Sequence, residues 1–151
     1  MKIEEAIQQK KFKDEYQKVH INVLYTASWI HQQSLQALKP FKISWQQFNI
    51  LRILRGMHPQ PASVKLLTER MIDKMSNASR LVEKLKQKGL VERKSCKSDR
   101  RQVDVVITDM GLDLLTQASK AMDQQMESAK ARLNPEEAVQ LNVLLDDLRS
   151  S

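Results

Sequence analysis

The sequence predicts a mainly α protein. A long helix stands at each end, with a helix-turn-helix and a two-stranded β wing between them. Three observations point there. Apolar residues recur every three or four positions over most of the chain, the period of an amphipathic helix. Only 3 Gly and 4 Pro occur in 151 residues, which suits long helices joined by short turns. Between Gly89 and Thr108 the apolar period drops to two, and a hairpin fits.

Each element has its own local cause. Ile3, Ile7, Phe12, Tyr16, Val19, Val23, Ala27 and Ile30 form one stripe at helical spacing. One long helix is therefore expected from the N-terminus, stopping before Pro40. Ser44 with Gln47 three residues later resembles a capping box, and Phe48, Ile50, Leu51, Leu54 and Met57 give the following helix a broad apolar face. Pro59 and Pro61 interrupt the chain, and Ser63 can cap a short helix bearing Val64, Leu66, Leu67 and Met71. Asp73 is a candidate cap for the next helix, roughly 74–88, whose apolar face is Met75, Ala78, Leu81, Val82 and Leu85. Gly89 stands where a C′ glycine ends a helix. Leu90 to Arg93 and Val103 to Ile107 then read as strands around a polar, charged tip at 95–102, although Val106 blurs the alternation. Thr108 can cap a long helix. Asn134, Pro135 and Glu137 open the last one, which places Ala138, Leu141, Leu144, Leu145 and Leu148 on one side. Two short helices joined tightly and followed by a basic hairpin make a winged helix-turn-helix.

The net charge of +7 is concentrated rather than spread. Residues 1–73 carry +5, residues 102–151 carry −5, and the 28 residues from Lys74 to Arg101 carry +7 by themselves. A basic segment of that density suits a polyanion such as nucleic acid.

Several function classes have no support. No run of eighteen apolar residues exists, so no transmembrane helix and no membrane partner is expected. The opening MKIEEAIQQKKFKDE lacks the apolar stretch of a secretory signal, and the single Cys96 permits no intramolecular disulfide. Both fit a cytoplasmic location. Among the three histidines, His20 and His31 share a helix face but stand about 16 Å apart, too far to hold one metal. There is no glycine-rich phosphate loop and no nucleophile–base constellation, so neither cofactor, metal nor catalytic residue is expected, and the protein is not read as an enzyme. Lys94 and Lys97 flank Cys96 and favour its thiolate, which leaves redox sensing open beside an ordinary thiol with no resolving partner.

The wing region resembles the MarR family of bacterial transcriptional regulators. The resemblance rests on Lys84-Leu85-Lys86-Gln87-Lys88-Gly89-Leu90-Val91-Glu92-Arg93, and on Asp99-Arg100-Arg101 followed in register by Val105, Ile107, Thr108 and Gly111. This is the family's D-x-R pattern, an aliphatic pair and T-x-x-G at matching spacing. The resemblance implies a homodimer whose N- and C-terminal helices intertwine, and a ligand-responsive regulator, most often a repressor. It divides the chain into a helical dimerisation region, 1–38 and 112–151, and a DNA-binding domain, 40–111. The apolar stripes of both terminal helices, with no small domain of their own to cover, independently favour a second copy.

Within the DNA-binding domain, the physical reading places Ser76, Asn77, Ser79 and Arg80 at the start of the recognition helix, in a major groove. There Asn suits adenine and Arg suits the O6/N7 edge of guanine. Lys84, Lys97 and Ser98 are expected phosphate contacts, and Arg100 a backbone contact. By resemblance, Arg101 enters the minor groove and Asp99 orients it. The family also implies a pocket for a small aromatic or phenolic effector. Trp29, His31 and Trp45 are the candidates to line it, with plain core packing of the two tryptophans as the simpler reading. The alternative function is a helical architectural or interaction protein that binds DNA weakly and without sequence preference.

Overall fold

The first long helix starts later than its apolar stripe. In the computed structural model, which describes residues 1–96 and 98–150, α1 is only Ile3–Ala6 and α2 is Glu15–Leu38. Local hydrogen bonding separates them. The Asp14 carboxylate accepts from the Gln17 N–H at 2.8 Å, and the Gln17 side chain accepts from the Lys13 N–H at 2.8 Å. This reciprocal cap offers the backbone an alternative to helix over the preceding residues. Gln8 takes a positive φ of 53°, and the arm turns back on α2. Ile3 is buried there, and Glu4 pairs with Lys18 at 2.5 Å. The expected single helix from Ile3 is thus a short arm plus a helix.

α2 ends before Pro40 as its sequence requires, and a 3₁₀ turn, Lys39–Phe41, runs through the proline. α3 spans Trp45–Met57 behind the Ser44–Gln47 capping box. A two-residue strand, β1 Ala62–Ser63, precedes α4, Val64–Arg70, which Ser63 caps. Nothing in the residue pattern announces so short a strand; it exists because β3 pairs with it, Ala62 opposite Val105. α5 is Ala78–Gln87, and Gly89 follows it with φ 74°, the left-handed value a C′ glycine supplies. The hairpin is β2 Val91–Ser95 and β3 Val103–Ile107, and the antiparallel sheet runs β1-β3-β2.

Thr108 caps α6, Asp109–Lys130, and Asn134 caps α7, Pro135–Arg149, with its capping box complete. The core joins Leu38, Leu51, Leu54, Leu67, Leu85 and Leu115, all essentially inaccessible, so the DNA-binding elements and the root of α6 share one interior. Away from it the apolar stripes are uncovered. α7 buries no residue, and Leu144 and Leu148 are more than half exposed. On α2, Tyr16, Leu24 and Ile30 are exposed as well. Among the described residues no helix is long and apolar enough to cross a membrane.

Candidate nucleic-acid interface

The recognition helix is one turn shorter at its start than its sequence suggests. Asn77, not Asp73, is the N-cap, its side-chain oxygen accepting from the Arg80 N–H at 3.1 Å. Asp73 instead closes a tight turn by accepting from the Met75 N–H at 3.0 Å, and that hydrogen bond holds its carboxyl below the usual range. α3 pins the turn from behind. The Asn49 side chain, buried in the core, accepts from the Ile72 N–H at 2.9 Å, and Gln46 approaches Asp73 at 3.5 Å. With the helix beginning at Ala78, Met75 is left 93% exposed rather than on the apolar face expected for it.

These facts rearrange the expected base-reading set. Ser79 and Arg80 stand exposed on the first turn of α5, and Lys84 one turn further on, while Ala78, Val82 and Leu85 bury the opposite face. Ser76 lies before the helix and, with Asn77, borders the groove beside α5, but its own hydroxyl oxygen is buried. Asn77 Oδ1 is engaged by the cap, so the two-point adenine contact expected of it is reduced to what its Nδ2 can donate. A groove of about 850 Å³ runs along this side of α5, bordered by Ser44, Gln46, Arg80, Lys84 and Lys88.

The wing tip is set by its backbone. Cys96 N–H donates to Gln102 O at 3.3 Å, Gln102 N–H to Asp99 O at 3.1 Å, and Arg101 N–H to the Asp99 carboxylate at 2.9 Å. Asp99 therefore orients Arg101 through the main chain. Among the described residues no ion pair joins the Asp99 and Arg101 side chains, and the Asp99 carboxylate accepts from the tip amide instead. Ser98, Arg100 and Arg101 are exposed; Lys97 lies outside the described residues. Cys96 Sγ is 3.1 Å from the Ser98 hydroxyl, which pulls the thiol below its ordinary value. Arg101 and Ser79 border one crevice of about 500 Å³, together with Ser63, Lys65 and Arg93. The recognition helix and the wing arginine thus open on the same side of the molecule.

Thr108 and Gly111 were legible as structural positions, and the contacts of Asn49 and Arg93 were not. Thr108 donates its hydroxyl to Gly89 O at 2.7 Å and accepts from the Gly111 N–H at 3.1 Å, tying the wing base to α6. Gly111 sits so close to the chain that an added Cβ would lie 2.2 Å from Leu90 O. That is the physical content of T-x-x-G. Asn49 and Arg93 escape sequence reading because their partners are remote in the chain. An asparagine inside a helical apolar face was the one available hint for Asn49.

Trp29 and the His31–Trp45 pair have different neighbours in the single chain. Residues two apart on a helix diverge by about 200°, so Trp29 and His31 leave α2 on different sides. His31 packs edge-on against Trp45 with ring centroids 5.9 Å apart. Trp29, 41% exposed, borders a separate hollow of about 360 Å³ with Tyr25, Thr26 and Arg132.

The MarR family model matches residues 43–103, from the approach to α3 to the start of β3. Over those residues the chain matches the MarR family. Its whole fold is that of solved MarR regulators. A MarR transcription factor from Planctomyces limnophilus is 28% identical, with a TM-score of 0.68 over 90% of this chain and 98% of its own. BpsR of Bordetella bronchiseptica, whose DNA binding is regulated by 6-hydroxynicotinic acid, is 22% identical, with a TM-score of 0.79 over 94% and 99%. MepR of S. aureus in complex with DNA is 20% identical, with a TM-score of 0.75 over 91% and 97%. The MarR match thus covers the elements that carry Ser79, Arg80 and most of the wing.

Proposed function

We propose that this chain is a MarR-type, sequence-specific, double-stranded-DNA-binding transcriptional regulator working as a cytoplasmic homodimer, in the manner of a repressor. The observation that carries the reading is the shared crevice of Ser79 and Arg101, which brings a polar helix face and an arginine to one surface. A helix of this size fits a major groove, and an arginine on a hairpin suits the adjacent narrow minor groove. Ser79 and Arg80 read base edges; Lys84, Ser98 and Arg100 hold phosphates, with Lys97 assigned the same role from the sequence. Two copies would address half-sites about one helical turn apart. The protein acts by binding, not by catalysis.

A small-molecule effector is part of the proposal. The 6-hydroxynicotinic acid response of BpsR supports an aromatic compound as its class. Such a compound would act by binding better to the conformation whose recognition helices no longer match the half-site spacing.

The test is a gel-shift titration against a duplex selected from a random pool by the purified protein. Arg101→Ala should lower specific affinity by about tenfold to a hundredfold, corresponding to about 1–3 kcal/mol for a groove contact, and leave the dimer intact. Unchanged affinity would remove the wing assignment. Equal binding of wild type to selected and random duplexes at physiological salt would return the non-specific architectural reading.

A further inference from the structure

The outer half of the wing has little to hold it. Beyond Val91, β2 buries no side chain, and on β3 the outermost Val103 is already exposed. β1 fastens β3 only as far as Asp104, opposite Ser63. On the β2 side Arg93 reaches back to the recognition helix. Arg93 Nη1 lies 3.2 Å from Glu83 Oε2, and Arg93 Nη2 approaches Ser79 O at 3.5 Å. Ser79 and Glu83 are four apart on α5 and so share a face. The planar fork of a guanidinium meets both, which the single ammonium of lysine cannot do in the same way.

We propose that Arg93 is a positioning residue that clamps the wing to the recognition helix. It thereby fixes the offset between Arg101 in one groove and Ser79 and Arg80 in the next. The inference rests on the DNA-binding reading for its consequence, though not for the clamp itself. Glu83 makes it distinctive. A carboxylate beside a DNA-facing surface repels phosphate, so on electrostatics alone its neutralisation would tighten every duplex. If its part is to anchor Arg93, neutralising it should weaken specific binding instead. A direct phosphate contact by Arg93 gives the opposite pattern: Glu83→Gln frees the guanidinium and strengthens binding.

The experiment combines amide hydrogen exchange on the free protein with affinities for selected and random duplexes. It uses the wild type, Glu83→Gln, Arg93→Ala and the double variant. The clamp predicts faster exchange for the wing amides at 94–102 in either single variant, with amides of α3 and α6 unchanged. The double variant should exchange no faster than Arg93→Ala alone, since both remove one interaction. Glu83→Gln should lose about two- to fivefold in specific affinity, the range of an exposed ion pair of up to about 1 kcal/mol, without losing affinity for random duplex. Unchanged wing exchange, additive effects, or tighter specific binding by Glu83→Gln would each overturn the clamp. Failure of the DNA-binding reading is separately visible, as a wild type that does not discriminate between the duplexes.

Discussion

Gly111 shows how a motif residue can be structural and still indispensable. Its Cα lies against the Leu90 carbonyl, and a methyl group there would stand 2.2 Å from that backbone oxygen. Neither partner can yield without moving the junction of β2, Thr108 and α6. Gly111→Ala should therefore destabilise the fold by about 1–3 kcal/mol, the usual cost of forced overpacking, read as a lower midpoint in urea unfolding. The Thr108 cap was visible in the sequence, because a threonine three residues before a glycine at a helix start has a local explanation. Asn49 was not. Its partner, the Ile72 N–H, is 23 residues away, and only the packing of α3 behind the turn brings them together.

At the scale of elements, the entry to the recognition helix is the place where local reading and structure part. Asp73 and Asn77 are both competent caps by residue type. The structure uses Asn77 for the helix and Asp73 for the preceding turn, where the Met75 N–H stabilises its charged form. A carboxyl depressed in the folded state contributes stability that is present above its unfolded pKa. That contribution is lost as pH falls through the folded value. Asp73→Asn should accordingly lower stability at neutral pH. The gap to wild type should close as the pH drops below the carboxylate range, measured by denaturant midpoints across an acid series. A constant gap would mean that the charge of Asp73 contributes nothing. The arm before α2 teaches the same lesson. The apolar stripe from Ile3 is real, but the Asp14–Gln17 cap interrupts the helix, and the arm buries Ile3 by folding back rather than by continuing.

For the molecule as a whole, the uncovered faces of α2 and α7 are the main unfinished business of the single chain. Exposed leucines in series on a helix that buries no residue of its own need a partner surface. In the proposed homodimer a second copy supplies it. Leu144→Glu should weaken self-association and make thermal stability less dependent on protein concentration, checked by sedimentation equilibrium. A wild type that stays at 17.5 kDa at micromolar concentration would contradict the dimer. The charge distribution belongs to this scale too. The +7 of residues 74–101 lies on the recognition helix and wing, while the acidic third forms α6 and α7.

The sequence by itself determined the mainly helical class, the order of the major elements, most of their caps and the basic edge. Each depends on residues within a few positions of one another, where period, capping and charge act locally. Tertiary structure decided which of two competent caps opens the recognition helix, and it turned Asp99 onto a backbone amide. It also formed β1, packed His31 edge-on against Trp45, and set Arg93 between Glu83 and Ser79. Those outcomes depend on which distant segments pack together, and the energies separating the local alternatives are too small, about 1 kcal/mol per cap or exposed ion pair, to settle them in advance.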